Sequence, residues 1–145
     1  MADREADRRA VEAMNTTFYE AFEAADLDTM QDLWLEDPET LCVHPGALPV
    51  RGTGAINRSW ALIMANTPYI QFFLTDVEIS LRGDPADVAS VTCTENVLTG
   101  DATTGPDAFG GAKAVATNVF LRTPDGWRLW IHHASPVLSA DDDDE

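Results

Sequence analysis

Halfway along this chain the spacing of its apolar residues changes period. Val11, Met14, Phe18, Phe22 and Ala25 recur every three to four residues, the stripe of an amphipathic helix. Leu27, Met30, Leu33 and Trp34 continue at helical spacing after Asp26, a residue suited to capping, and Pro38 stops them. Thr40 to His44 reads as a short strand ended by Pro45-Gly46, and Ala47 to Gly52 as a loop. A third helix opens at Thr53 or Gly54 and carries Ile56, Trp60, Ile63 and Met64 on one side. From Ile70 the period drops to two. Ile70, Phe72 and Leu74 alternate, then Val77, Ile79 and Leu81 alternate in the opposite phase, so a bulge is expected near Thr75-Asp76. Gly83-Asp84-Pro85 is a turn, Val88 to Thr99 a strand, Gly100 to Gly111 a loop and Lys113 to Thr123 a strand. Pro124-Asp125-Gly126 closes a hairpin with a last strand from Trp127 to Pro136.

This order predicts an α+β fold, three helices packed on one face of a curved, mostly antiparallel sheet. The opposite face is apolar too: Val115, Val119 and Leu121 run out of phase with Ala114, Ala116 and Phe120. A sheet apolar on both sides needs a second cover, and another copy of the chain is the natural one. The expected unit is a single domain over residues 1–138, with an acidic disordered tail over 139–145.

Charge narrows the partners. With 9 basic and 25 acidic residues the net charge is −16, which disfavours nucleic acid and anionic membrane. Cys42 and Cys93 stand alone and form no Cys-x-x-Cys. No signal-like or membrane-spanning stretch occurs, so a cytoplasmic setting with reduced thiols is expected. No phosphate loop, dinucleotide fingerprint, Ser-His-Asp signature or metal-ligand spacing stands out, and neither cofactor nor metal is expected.

The element order, Asp26-Leu27-Asp28 between the first helices, His44-Pro45-Gly46, Thr117-Asn118-Val119-Phe120, and Gly126 through Trp130 to His132-His133-Ala134-Ser135-Pro136 together resemble the nuclear transport factor 2 superfamily. The resemblance is narrower to its SnoaL-like group and runs from about Ala10 to Val137. It implies a cone-shaped half-barrel of the cystatin-like kind, open at one end, with a pocket between helices and sheet, usually in a dimer. Laid on the ketosteroid isomerases, the resemblance puts the general base at His44, the enolate donor near Asn118, and the helix tyrosine near Phe18, beside Tyr19. Laid on the calmodulin-dependent kinase association domain, it puts the pocket arginines on Thr92, Asn118 and Ala134, so that anion site is not reproduced.

The chemistry expected of these residues follows from their types. An imidazole at His44, before a proline at a strand end, is a base that titrates near neutrality. Asn118 offers an amide donor for a developing oxyanion. His132 and His133 point to opposite faces of the last strand. His132 is expected in the pocket with Trp130, as a second proton relay or orienter, and His133 on the outer face. Glu95, in an apolar row with Val91, Cys93 and Val97, is either a cavity base or an outer-face partner of His133. The phase chosen for Asn118 favours the outer face, so Glu95, Val119, Leu121 and His133 are expected at a dimer interface. Phe18, Tyr19, Phe22, Trp34, Trp60, Thr92 and Trp130 are the expected pocket lining. Two functions fit: a cofactor-free acid–base enzyme (isomerase, dehydratase or cyclase) on an apolar carbonyl compound, or a ligand-binding or assembly module without chemistry.

Overall fold

Asp3 starts the first helix by accepting a hydrogen bond from the Ala6 amide, and α1 runs Arg4–Ala24. Ala25 closes it in the left-handed region at φ 53°. Asp26 caps α2, Leu27–Leu33, through the Thr29 amide. The computed structural model describes residues 3–100 and 110–138. The expected tail and most of the Gly100 to Gly111 loop lie outside the described residues.

The strands are β1 (Leu41–Val43), β2 (Val50–Arg51), β3 (Tyr69–Gly83), β4 (Ala86–Gly100), β5 (Gly110–Thr123) and β6 (Gly126–Pro136), with α3 (Thr53–Ala65) between β2 and β3. They form one open sheet in the order β2-β1-β6-β5-β4-β3. All neighbours are antiparallel except β1 and β6, which pair in parallel through Leu41–Ile131, Cys42–His132 and Val43–His133. Val50–Arg51, expected as loop, is a short edge strand on β1.

Two irregularities decide where side chains point. β3 shifts register against β4 between Thr75 and Glu78, with Asp76 at φ 55°, the bulge expected from the phase change. β6 shifts against β5: Val119 faces Ile131 while Phe120 faces Leu129, so Trp130 is the extra residue. Leu129 and His132 therefore both turn inward although three positions apart.

The core lies between the helices and one sheet face, where Val11, Phe18, Met30, Ile56, Trp60, Phe120 and Leu129 are buried. The other face carries exposed Phe73 and Val115. At the β3 edge, Arg4 donates to the carbonyls of Gly83 (2.8 Å) and Leu81 (3.2 Å), and Arg8 to that of Ile79 (2.6 Å). Edge groups that a further strand would seek are thereby already bonded.

Candidate functional site

The helical period brings Asn15, Phe18, Tyr19 and Phe22 of α1 onto one face above the sheet. Beneath them, β4 and β5 present Glu95 opposite Ala114, Cys93 opposite Ala116 and Val91 opposite Asn118, and β6 adds His132 opposite Asn118. Methyl side chains at Ala112 and Ala114 leave space, and a cavity of about 320 Å³ opens there. Its walls are mainly aromatic and aliphatic: Phe18, Tyr19, Phe22, Trp60, Ile63, Ile70, Phe72 and Val97. His44, Glu95 and His132 interrupt them with polar groups. Lys113 also meets the cavity, but it lies between Ala112 and Ala114 and faces Asn96, so alternation sends its side chain to the far face.

A hydrogen-bond chain beneath the cavity fixes His132. Asn118 Nδ2 donates to Asn15 Oδ1 at 2.8 Å and, more loosely, to Tyr19 Oη at 3.4 Å. Its Oδ1 is therefore the atom facing His132 Nδ1, 2.5 Å away. A carboxamide oxygen only accepts, so Nδ1 carries the ring proton. Burial pushes the His132 pKa down to about 3, helped by the neighbouring imidazoles of His44 and His133, so the ring is neutral. Nε2 is left as a bare lone pair on a ring that lines the cavity while only 3% exposed.

Tyr19 Oη donates to Glu95 Oε2 at 2.6 Å. Burial raises the Glu95 pKa above the usual carboxylate range, and the Tyr19 bond opposes that in part. Burial also raises the Tyr19 phenol, with the Glu95 charge adding to it, so Tyr19 stays a donor. His44 is half-buried, with its pKa lowered by burial. Its Nε2 lies 3.2 Å from Ser59 Oγ, whose own proton goes to the Ile56 carbonyl at 2.7 Å. Ser59 thus accepts from His44 Nε2–H, and Nδ1 is the lone-pair nitrogen, with the Cys42 thiol sulfur 3.5 Å from Nε2 and 3.9 Å from Nδ1. The rings of His44 and His132 lie 6.4 Å apart, with Trp60 edge-on to His44 at 4.8 Å. Among the described residues no group of three or more His, Cys, Asp or Glu is placed to hold a metal ion.

Of the residues singled out in the sequence, His44, His132, Phe18, Tyr19, Phe22 and Trp60 line this cavity. Several placements are corrected. Asn118 is fully buried beneath the cavity with both amide atoms engaged, so it orients His132 rather than meeting a ligand. Glu95 is on the cavity wall, not at the outer face with His133, because its partner across the ladder is Ala114. Thr92 is exposed on the far face, between Glu78 and Thr117. Trp130, displaced by the bulge, donates from Nε1 to the Glu39 carbonyl at 3.2 Å. Trp34 is core, bridged to Leu129. Val119, Leu121 and His133 are on the far face. Sequence reasoning missed Asn15 and Ser59; Asn15 could have been found as the one amide interrupting the stripe of Val11, Phe18 and Phe22.

The SnoaL-like domain family matches residues 11–139. The chain belongs to this family. No protein of curated function matches the sequence. Among solved structures this SnoaL-like protein is similar to a candidate dehydratase of the NTF2-like family from Streptomyces avermitilis, at 52% identity and a TM-score of 0.84 over 93% of this chain and 99% of that one. It is also similar to a candidate calcium/calmodulin-dependent protein kinase type II association domain from Thiobacillus denitrificans, at 32% identity and a TM-score of 0.75 over 88% and 94% of the two chains. An NTF2-like superfamily protein from Salmonella enterica shares the fold at 18% identity, with a TM-score of 0.81 over 94% and 95%. Among the described residues no helix is long and apolar enough to cross a membrane.

Proposed function

We propose that this SnoaL-like protein is a cofactor-free acid–base enzyme that eliminates water from an apolar β-hydroxy carbonyl compound. The observation that carries the reading is a pair of neutral imidazoles, each with one lone-pair nitrogen, sharing an apolar cavity with a buried carboxyl group. The likeness to the Streptomyces protein described as a candidate dehydratase agrees with it.

In this reading His44 is the base. It takes the proton from the carbon beside the carbonyl, and that C–H pair becomes the new carbon–carbon double bond. His132 Nε2 accepts from the leaving hydroxyl and aims its oxygen. Glu95, protonated at a higher pH than a surface glutamate, gives that oxygen its proton as the C–O bond breaks. The hydroxyl leaves as water. Glu95 is restored by the proton that His44 took, so the balance is substrate to enone plus water.

The test is elimination from a β-hydroxy derivative of a bicyclic aryl ketone, followed by the rise of enone absorbance. His44→Gln and Glu95→Gln are expected to lower the rate by about 10²-fold or more, the usual contribution of a positioned acid or base. A wild-type protein that neither eliminates water nor exchanges the adjacent proton with deuterated solvent would overturn the reading.

We further propose that two copies pair through the far sheet face, leaving the cavities outward. Phe73 at 53% and Val115 at 45% exposure support this, as does the likeness to an association domain.

A further inference from the structure

We propose that the cavity selects uncharged ligands that bring a hydroxyl donor to His132 Nε2, and rejects carboxylates and phosphates built on the same skeleton. The proposal rests on the reading of this cavity as a ligand site and names what enters it.

Two observations carry it, and both are geometric. The first is the direction of the hydrogen-bond chain. Asn15 Oδ1 takes the Asn118 amide proton, which turns Asn118 Oδ1 to His132 Nδ1. His132 therefore offers the cavity an acceptor and no donor. A ligand hydroxyl satisfies that atom; an ether oxygen, ketone oxygen or carboxylate at the same place meets lone pair with lone pair. Tyr19 Oη and the Asn118 amide do not replace it, being committed to Glu95 and to internal contacts, and a proton on the Glu95 carboxyl would serve a ligand oxygen but still leave Nε2 facing it without a hydrogen.

The second is that, among the described residues, no cationic side chain is aimed into the walls. Arginine is missing from the lining, and the strand register sends the Lys113 side chain to the other face. The polar groups that do face inward are two imidazoles, the Glu95 carboxyl and the Tyr19 hydroxyl bonded to it. An anion placed there would lose its water, find no countercharge and sit beside a carboxyl group. The net charge of −16 adds repulsion at longer range. A neutral hydroxylated ring system has neither difficulty, and Phe18, Phe22, Trp60 and Phe72 offer it ring faces and edges.

Three probes of one skeleton test the proposal on the intact protein at neutral pH: naphthol, methoxynaphthalene and naphthoate, with affinities from tryptophan fluorescence titration. Naphthol is expected to bind about tenfold more tightly than its methyl ether, the contribution of one hydrogen bond to an otherwise unpaired acceptor. Naphthoate is expected to bind at least about tenfold more weakly than naphthol. His132→Phe should bring naphthol and its ether to equal affinity. If that variant does not fold, the nitrogen chemical shifts of His132 in the wild-type protein give the same information: naphthol should move the Nε2 resonance strongly and the ether should not. Equal binding of naphthol and ether, naphthoate as tight as naphthol, or no binding by any probe would each overturn the proposal. If the expected order of affinities holds while water elimination fails, the inference stands and the catalytic reading falls.

Discussion

His132 and Glu95 depart from their ordinary titration in ways that act on stability with opposite signs. Folded His132 is neutral down to about pH 3, whereas the unfolded ring takes its proton near 6.5. As pH falls below about 6.5 the unfolded chain binds a proton that the folded one refuses, and stability drops by about 1.4 kcal/mol per pH unit. His44, also lowered by burial, adds to this slope. Glu95 is raised, so above about 4.5 the folded chain keeps a proton that the unfolded one has lost. That term favours folding more as pH falls and offsets the histidines. Urea denaturation between pH 5 and 7 should therefore show a steeper loss on acidification in Glu95→Gln than in wild type, and a shallower one in His132→Gln. The same slope in all three would mean that these groups titrate as they do in the unfolded chain. Tyr19→Phe should cost about 1.5–3 kcal/mol, because it removes the hydrogen bond to a buried carboxyl.

Between elements, what could be read from the chain was alternation within a strand; what could not was the residue lying across the ladder. The three helices, the β3 bulge and the β5–β6 hairpin were legible because each is signalled within a few residues. The face of Glu95 was not, since it depends on Ala114 standing opposite rather than a neighbour one place away. Trp130 was misplaced for a related reason: one inserted residue makes an unbroken apolar run turn over partway, and nothing in Leu129-Trp130-Ile131 marks which residue is extra. His132 reached the cavity through that turnover, not through a shared phase with Trp130. The Arg4 and Arg8 brace on β3 was equally unmarked, because its acceptors are backbone carbonyls, which no side-chain pattern reveals. Replacing both arginines by alanine should cost about 1 kcal/mol and loosen the first turns of α1. It should also make the protein turbid on heating at lower temperature than wild type. Unchanged amide exchange in α1 together with unchanged turbidity would show the brace to be incidental.

For the whole molecule, the uncovered sheet face sets the assembly that we propose. Val119, paired with Ser90 and Ile131 on that face, is the place to disturb it. Light scattering at micromolar concentration should report a dimer for the wild type and a monomer for Val119→Glu, with the circular dichroism of both alike; a wild-type monomer would remove the proposal. A different consequence follows from the parallel pairing of β1 with β6, which sets Leu41 beside Ile131. His44 follows β1 and His132 lies in β6, so the two imidazoles are neighbours only because the second and last quarters of the chain meet. During translation the helices and β1 emerge long before their partner strand exists. The cavity therefore lacks His132 until β6 arrives, and pairings this remote in sequence close slowly. A message cut short before Gly126 would yield a chain with His44, Glu95 and the aromatic wall but without β6 and His132, and such fragments are natural clients of the cell's chaperones and proteases.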